Sequence, residues 1–319
     1  MLFYSDKYDF GFLGLERLHP FDSHKFSKAC KLAKRRLGSK FEHALRTPDR
    51  PVDNDELGLV HTQAYLESLS SSAVVAKALE FDLLRWLSPR RIDSGVLQPM
   101  RWATAGTIAA VHAVLSDDAK IAMNLGGGFH HAFRDHGEGF CLYADVAVAL
   151  AVARARGTLR ATDSVAVIDL DAHRGNGFWD ICGSDHGVSV FDMYNFQAYP
   201  GGFPGDLEQS PFQIPMKWGT SDDHYLETLR DELPTFLGSL SGPRLAIYNA
   251  GTDIVAGDRV GQLAVSYGGV AMRDRFVIDT LAGRGIPTAV VTSGGYTRHS
   301  YKLIADLATH IVSIGDPPS

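Results

Sequence analysis

Five short apolar runs mark the middle and end of the chain, at residues 121–123, 165–168, 188–191, 245–248 and 288–291. They are rich in Val, Ile and Ala and bounded by glycines and polar residues, the signature of buried strands. Longer segments of helical spacing lie between them or ahead of them, such as 103–115. This alternation predicts an α/β fold with a mainly parallel sheet flanked by helices, and the absence of an interrupting linker favours one domain over residues 1–319. Towards the N-terminus, 23–37 reads as a helix with a solvated basic face of Lys31, Lys34, Arg35 and Arg36. A further helix is expected to begin near His61, with that histidine capping or packing. Gly11 and Gly14 make residues 1–20 a predicted loop, and the Pro-, Gly- and Arg-rich stretch 88–101 reads as a surface loop.

Polar or glycine-rich sequence follows every apolar run: NLGGGFHH, DLDAHRGNG, DMYNFQAYPGG, NAGTD and TSGGY, in chain order. Ligands of open α/β sheets bind beyond the carboxyl ends of the strands, so these loops are expected to meet in one place. The run at 165–168 continues into Asp169, Asp171 and His173, three ionisable groups at alternate positions. In extended chain they point to one side. Buried carboxylates side by side are costly unless a cation compensates them, so the pattern points to a metal; the alternative is a polar turn with local hydrogen bonds. Asp253, just past another run, is the best third ligand. Two carboxylates and an imidazole would neutralise a divalent ion and leave positions open for water and substrate, as catalytic zinc sites require, and Fe2+ would also be tolerated.

His130 and His131 follow three glycines, and beside a metal one could act as general base and the other as electrostatic helper. Asp169 is a candidate to raise the pKa of one of them. Tyr296, on the SGGY loop, is placed to stabilise a developing oxyanion. Phe140 and Tyr199, on glycine-flanked loops, could wall a narrow channel for an aliphatic stem, or equally be core residues.

The formal net charge of -6 argues against nucleic-acid binding as the main function. Three scattered cysteines, Cys30, Cys141 and Cys182, suggest a reducing compartment without a disulfide framework. Charges come too early in MLFYSDKYDF for a signal-peptide core. No apolar run approaches the ~20 residues of a membrane span. A cytoplasmic location, nuclear as well in a eukaryote, is expected.

As a set, GGGFHH, DLDAHRGNG, NAGTD and SGGY resemble the motifs of the histone deacetylase superfamily, in order and in separation, over about residues 1 to 315. The segments YSDKYDFGFLGLERLHPFD, VHTQAYL and GFCLYAD resemble class IV most. The resemblance implies a single-domain three-layer α/β/α fold of the arginase/deacetylase type. It implies zinc-dependent hydrolysis of an acylated lysine on a protein or peptide, with acyl groups longer than acetyl among the substrates. Asp171, His173 and Asp253 match the zinc ligands, His131 the general base and acid, and His130 its electrostatic partner. Asp169 matches the carboxylate bound to the first histidine, Tyr296 the carbonyl-polarising tyrosine, and Phe140, Tyr199 and Gly139 the substrate tunnel. A structural potassium is implied near the 169–173 loop, with Asp192 as a further contributor. Asn176 stands where class I members carry an aspartate; it can orient an imidazole but supports its positive charge less well. The rim aspartate of class I has no counterpart in 88–101. Three other readings share parts of this pattern: a two-manganese ureohydrolase, a deacetylase of small molecules such as acetylpolyamines, and a non-catalytic acyl-lysine-binding scaffold.

Overall fold

The computed structural model describes residues 1–11, 14, 16, 19–201 and 212–314. Parts of the N-terminal and QAYPGG motifs, among them Phe12, Leu13, Leu15, Arg17, Leu18 and Gly202, lie outside that set. The strands are β1 (Leu2–Phe3), β2 (Leu45–Arg46), β3 (Ile121–Asn124), β4 (Val165–Asp169), β5 (Val188–Asn195), β6 (Gln213–Met216), β7 (Leu245–Asn249) and β8 (Thr288–Val291). They form one sheet in the order β2-β1-β3-β8-β7-β4-β5-β6, and every pairing is parallel.

The early helices are α1 (Lys25–Leu37), α2 (Ser39–Ala44), α3 (Asn54–Leu57), α4 (Gln63–Ser68), α5 (Ser72–Ala78) and α6 (Pro89–Ile92). The later ones are α7 (Gln98–Leu115), α8 (Asp145–Ala155), α9 (Asn176–Cys182), α10 (Asp222–Ser239), α11 (Tyr267–Gly283) and α12 (Ser300–Ile314). One helical layer groups α7, α8 and α9; the other runs α1, α12, α11, α10 by mutual packing. The protein is thus a three-layer α/β/α fold with a parallel central sheet. β4, β7 and β8 are buried along their whole length, as expected of parallel strands covered on both faces.

Register sets the level at which the loops leave the sheet. Asn249 at the end of β7 pairs with Asp169 at the end of β4 and with Val291 at the end of β8. Asp169 also pairs with Asp192 on β5. The loops after β4, β7 and β8 therefore emerge side by side.

The stretch 88–101 is helical, not a surface loop. α6 begins with Pro89 at its first turn, one wide turn follows over Asp93–Leu97, and α7 starts at Gln98 with Pro99 in its first turn. Proline is tolerated at helix starts, where its missing N–H has no partner to lose. Ile92, Val96 and Met100 sit four residues apart and are buried, so an apolar stripe holds the segment on the core. Within residues 1–20, β1 and a single helical turn at Asp6–Tyr8 replace part of the predicted loop. His61 is buried, its Nε2 accepting from the Ala144 N–H at 3.0 Å, which is a packing role.

Candidate active site

Asp171, His173 and Asp253 converge, each offering one ligand atom within 4.8 Å of the others, and all are buried. His173 Nδ1 lies 2.9 Å from Asp171 Oδ1 and 3.0 Å from Asp253 Oδ2. A single ring proton can satisfy only one of these carboxylates. The other ring nitrogen, Nε2, lies 3.3 Å from the Val260 carbonyl. A proton held there leaves the Nδ1 lone pair facing the two carboxylates, the arrangement a metal-binding histidine adopts. Burial, then the Asp171 charge, push the Asp253 carboxyl up to about 7. Two carboxylates and an imidazole crowded at one dry point fit a divalent cation. Among the described residues, this is one cluster of three such ligands.

The cage is held from outside. Ser293 Oγ and the Gly294 N–H donate to Asp171 Oδ2 at 2.5 and 2.7 Å, and the Ala172 N–H donates to Asp253 Oδ1 at 2.8 Å. Position 294 must be glycine: a Cβ there would fall on the Asp253 and Asp171 carboxylates.

The two tandem histidines differ in environment. His130 Nδ1 lies 2.8 Å from Asp169 Oδ2, and Asp169 Oδ1 accepts from Asn249 Nδ2 at 2.9 Å. Burial opposes a charge on His130, but Asp169 and Asp171 outweigh it and hold the imidazole up at about 9. His131 Nδ1 lies 2.6 Å from Asn176 Oδ1. Burial, then the charges of His130 and His173, hold His131 well below the usual range. One histidine is thus kept cationic and its neighbour neutral, with ring centroids 4.1 Å apart. Groups whose pKa values are pushed apart in this way are suited to divided acid and base roles.

Tyr296 follows the glycines of the loop after β8, with its ring 6.2 Å from that of His173 and 5.9 Å from that of Phe140. Burial and the Asp253 and Asp171 charges raise its phenol well above the ordinary range, so it remains an O–H donor. Phe140, Gly139, His130, His131, Asp171 and Tyr296 line one cavity. Gly139 has φ +54°, and a Cβ there would lie 2.6 Å from His131 Cδ2. Tyr199 is more exposed and stands edge-on to His131 at 5.0 Å. Asp192 is buried beside this loop; its Oδ2 accepts from Gly175 N and Trp179 Nε1, both at 3.3 Å, while Oδ1 has no partner among the described residues.

Several supports were not singled out in the sequence. Lys25 is fully buried and donates to the Ser293 and Gly294 carbonyls at 2.5 and 3.2 Å. Its signal was a lysine in line with Ala29 and Ala33 on the buried face of α1. Asp145 accepts from Thr107 Oγ1 and from the Gly128 and Phe129 N–H groups at 2.6, 2.9 and 2.7 Å, bracing the glycine run before His130. Asp258 accepts the Tyr296 N–H at 2.7 Å. Arg273 of α11, fully buried, donates to the Leu170 and Gly251 carbonyls at 2.9 and 2.6 Å, clipping together the two loops that carry Asp171, His173 and Asp253.

The histone deacetylase domain family matches residues 19–312. "Histone deacetylase 2" of Arabidopsis thaliana is 39% identical over 309 residues, 96% of this chain and 76% of that protein. An uncharacterised Picosynechococcus protein is 32% identical over 252 residues, 79% of each chain. The crystal structure of the HDA15 HD domain superposes with a TM-score of 0.76, covering 98% of this chain and 90% of that one at 21% identity, a likeness of fold.

Proposed function

We propose a function for a chain that belongs to the histone deacetylase family: hydrolysis of the amide of an acylated lysine, assisted by one divalent ion held by Asp171, His173 and Asp253. The observation that carries this reading is the buried Asp–His–Asp cluster, whose Asp171 lines one cavity with His131 and Tyr296. Residues 1–319 are read as one catalytic unit of class IV type, on the strength of the YSDKYDF, VHTQAYL and GFCLYAD segments. Zinc is the expected ion, with Fe2+ compatible with the same donors. A structural potassium beside residues 169–173 is part of the proposal, supported by the buried Oδ1 of Asp192, which has no partner among the described residues. Three free cysteines favour a reducing compartment, the cytoplasm or nucleus.

When bound, a divalent ion supplies Lewis acidity toward the acyl carbonyl and the attacking water. Neutral His131 receives the proton of that water. Cationic His130, fixed by Asp169, supplies positive charge beside it. Tyr296 donates its O–H to the carbonyl oxygen as negative charge develops there. His131 then returns its proton to the leaving lysine amine, and the products are a free amine and a carboxylic acid. Gly139 and Phe140, with Tyr199 near His131, form the wall along the lysine stem. The same cavity is bordered by Phe10, Phe26, Leu79 and Met100, apolar surface that supports acyl groups longer than acetyl.

The test is turnover of an acetyl- to myristoyl-lysine peptide series and of acetylpolyamines, with and without chelator, alongside metal content. Chelator-sensitive release of free lysine, with about one transition ion per chain, is expected. Preference for polyamines would move the substrate class. Two manganese ions per chain would favour ureohydrolase chemistry, and tight peptide binding without turnover would leave a scaffold.

A further inference from the structure

Asn176 is bonded on both sides. Its Oδ1 faces His131 Nδ1 at 2.6 Å, and its Nδ2 donates to Glu138 Oε1 at 2.6 Å. The same oxygen accepts from the Tyr199 hydroxyl at 2.5 Å. Glu138 Oε2 lies 3.7 Å from Nε2 of the exposed His136, and the Glu138 side chain retains 34% of its exposure. The backbone of Glu138 is also fixed. It opens a tight turn in which Gly139 and Phe140 both have positive φ, +54° and +68°, closed by Cys141 N donating to Glu138 O at 2.9 Å. A phenylalanine in that region is strained and is held there by its surroundings.

An ionised carboxylate can only accept hydrogen bonds, whereas a primary amide has a donor end and an acceptor end. Facing Glu138, Asn176 must present its NH2. Its oxygen is therefore turned to His131, and His131 Nδ1 must carry the proton. The ring's one remaining lone pair is then on Nε2, the only nitrogen left to accept a proton from water. Were the amide free to flip, its NH2 could face His131, the proton would sit on Nε2, and the ring could not act as a base.

We propose that Glu138 is a positioning residue that fixes, through the Asn176 amide, the tautomer in which His131 accepts a proton at Nε2. Its carboxylate stands behind the amide, one residue further out from the histidine. Its bond to Tyr199 ties the tunnel wall to the same oxygen. The proposal rests on His131 being the proton acceptor, but its geometric core is a tautomer that is measurable without turnover.

The experiment uses zinc-loaded full-length protein labelled with 15N-histidine, with His131→Ala assigning the signal. In the wild type, His131 is expected as the Nδ1–H tautomer. Glu138→Ala is expected to convert it to a mixture and to lower kcat about 10- to 100-fold, the usual cost of losing an outer hydrogen-bond partner. Glu138→Gln covers the case in which Glu138→Ala does not fold: without the acceptor-only carboxylate the amide orientation is no longer enforced, so part of the Nδ1–H population is lost. Tyr199→Phe, which removes the tyrosine's bond to Glu138 and leaves the Asn176–Glu138 bond in place, should raise KM while leaving the tautomer unchanged. Rescue is the decisive arm. Asn176→Asp puts an acceptor directly on His131, so it should restore the tautomer and kcat in the Glu138→Ala background. In the wild-type background the same change sets two carboxylates against each other and should lower kcat. A His131 signal unchanged in both Glu138 variants, or additive losses in the Glu138→Ala/Asn176→Asp double variant, would overturn the proposal. If no substrate in the panel is hydrolysed but the tautomer still depends on Glu138, the functional reading fails and the positioning role stands.

Discussion

Tyr296 is the residue whose chemistry depends most on its surroundings. Burial and two nearby carboxylates keep its phenol protonated far above neutral pH, so it can donate a hydrogen bond but not act as a base. Removing one donor to an oxyanion typically costs ~100- to 1,000-fold in turnover. Tyr296→Phe is therefore expected to lose that much kcat while keeping its zinc content, since the phenol is not one of the three clustered ligands. Steady-state kinetics beside metal analysis checks this; near-wild-type kcat removes Tyr296 from the mechanism. Lys25 makes a separate prediction about stability. Burial lowers its ammonium pKa to about 8, against the pull of Asp253 and Asp171. An exposed lysine in the unfolded chain keeps its proton to about 10.4. Between those values the unfolded state binds more protons than the native one, so the Lys25 contribution to stability rises with pH, by about 3 kcal/mol at most. A cation bound nearby would push the ammonium further the same way. Lys25→Met should flatten the difference in unfolding free energy between pH 8 and pH 10, measured by urea titration. Equal pH slopes in the two proteins would show that the lysine is not titrating there.

At the scale of elements, α11 adds to the direct bonds between the loops after β4 and β7 through one side chain. Arg273 donates to a carbonyl in each loop and pairs with Asp274, its Nε 2.9 Å from Oδ1. Taking one partner from a buried ion pair costs about 3–5 kcal/mol, because the other charge is left behind. Arg273→Met should lower the urea midpoint accordingly and weaken zinc binding. Arg273→Met/Asp274→Leu should recover part of the stability but not the zinc affinity, because the Leu170 and Gly251 carbonyls remain unclipped. Recovery of both would show that the arginine serves packing only. Arg273 and Glu138 were not legible in the sequence, because their partners are distant in the chain, and Lys25 left only its place in line with Ala29 and Ala33. The strands bearing the site were legible: each is an apolar run ending in polar sequence, and all five of those runs lie in the sheet. β1 and β2 span two residues each, too short for periodicity to register, and β6 carries a proline and, among the described residues, pairs only with β5. The 88–101 stretch misled because its prolines sit where helices begin and its apolar residues at four-residue spacing were outweighed by its arginines.

At the scale of the whole molecule, a parallel sheet in common register brings together ionisable side chains that the chain keeps apart. His173 and Asp253, 80 residues distant, meet because β4 and β7 end as paired neighbours. That Asp171, His173 and Asp253 would converge could be read from the loops after strands, because parallel topology puts all such loops at one end of the sheet. That convergence has a thermodynamic consequence. Without a cation the cluster retains protons: His173 is held well above its usual range against burial by Asp171 and Asp253, and Asp253 is raised to about 7. Asp253 in the native apo-protein therefore binds more protons than in the unfolded chain between about pH 4 and pH 7. Its contribution to apo stability falls as pH rises through that window. Metal binding must displace the same protons, so affinity rises with pH. Both effects act in one direction: the stability difference between zinc-loaded and chelated protein should widen from pH 6 to pH 8. Saturation at 1,000 times the dissociation constant adds about 4 kcal/mol. Thermal unfolding with and without chelator at the two pH values measures it. An unfolding temperature indifferent to chelator, or a gap that narrows toward pH 8, would mean that the two loops are not joined through a shared cation.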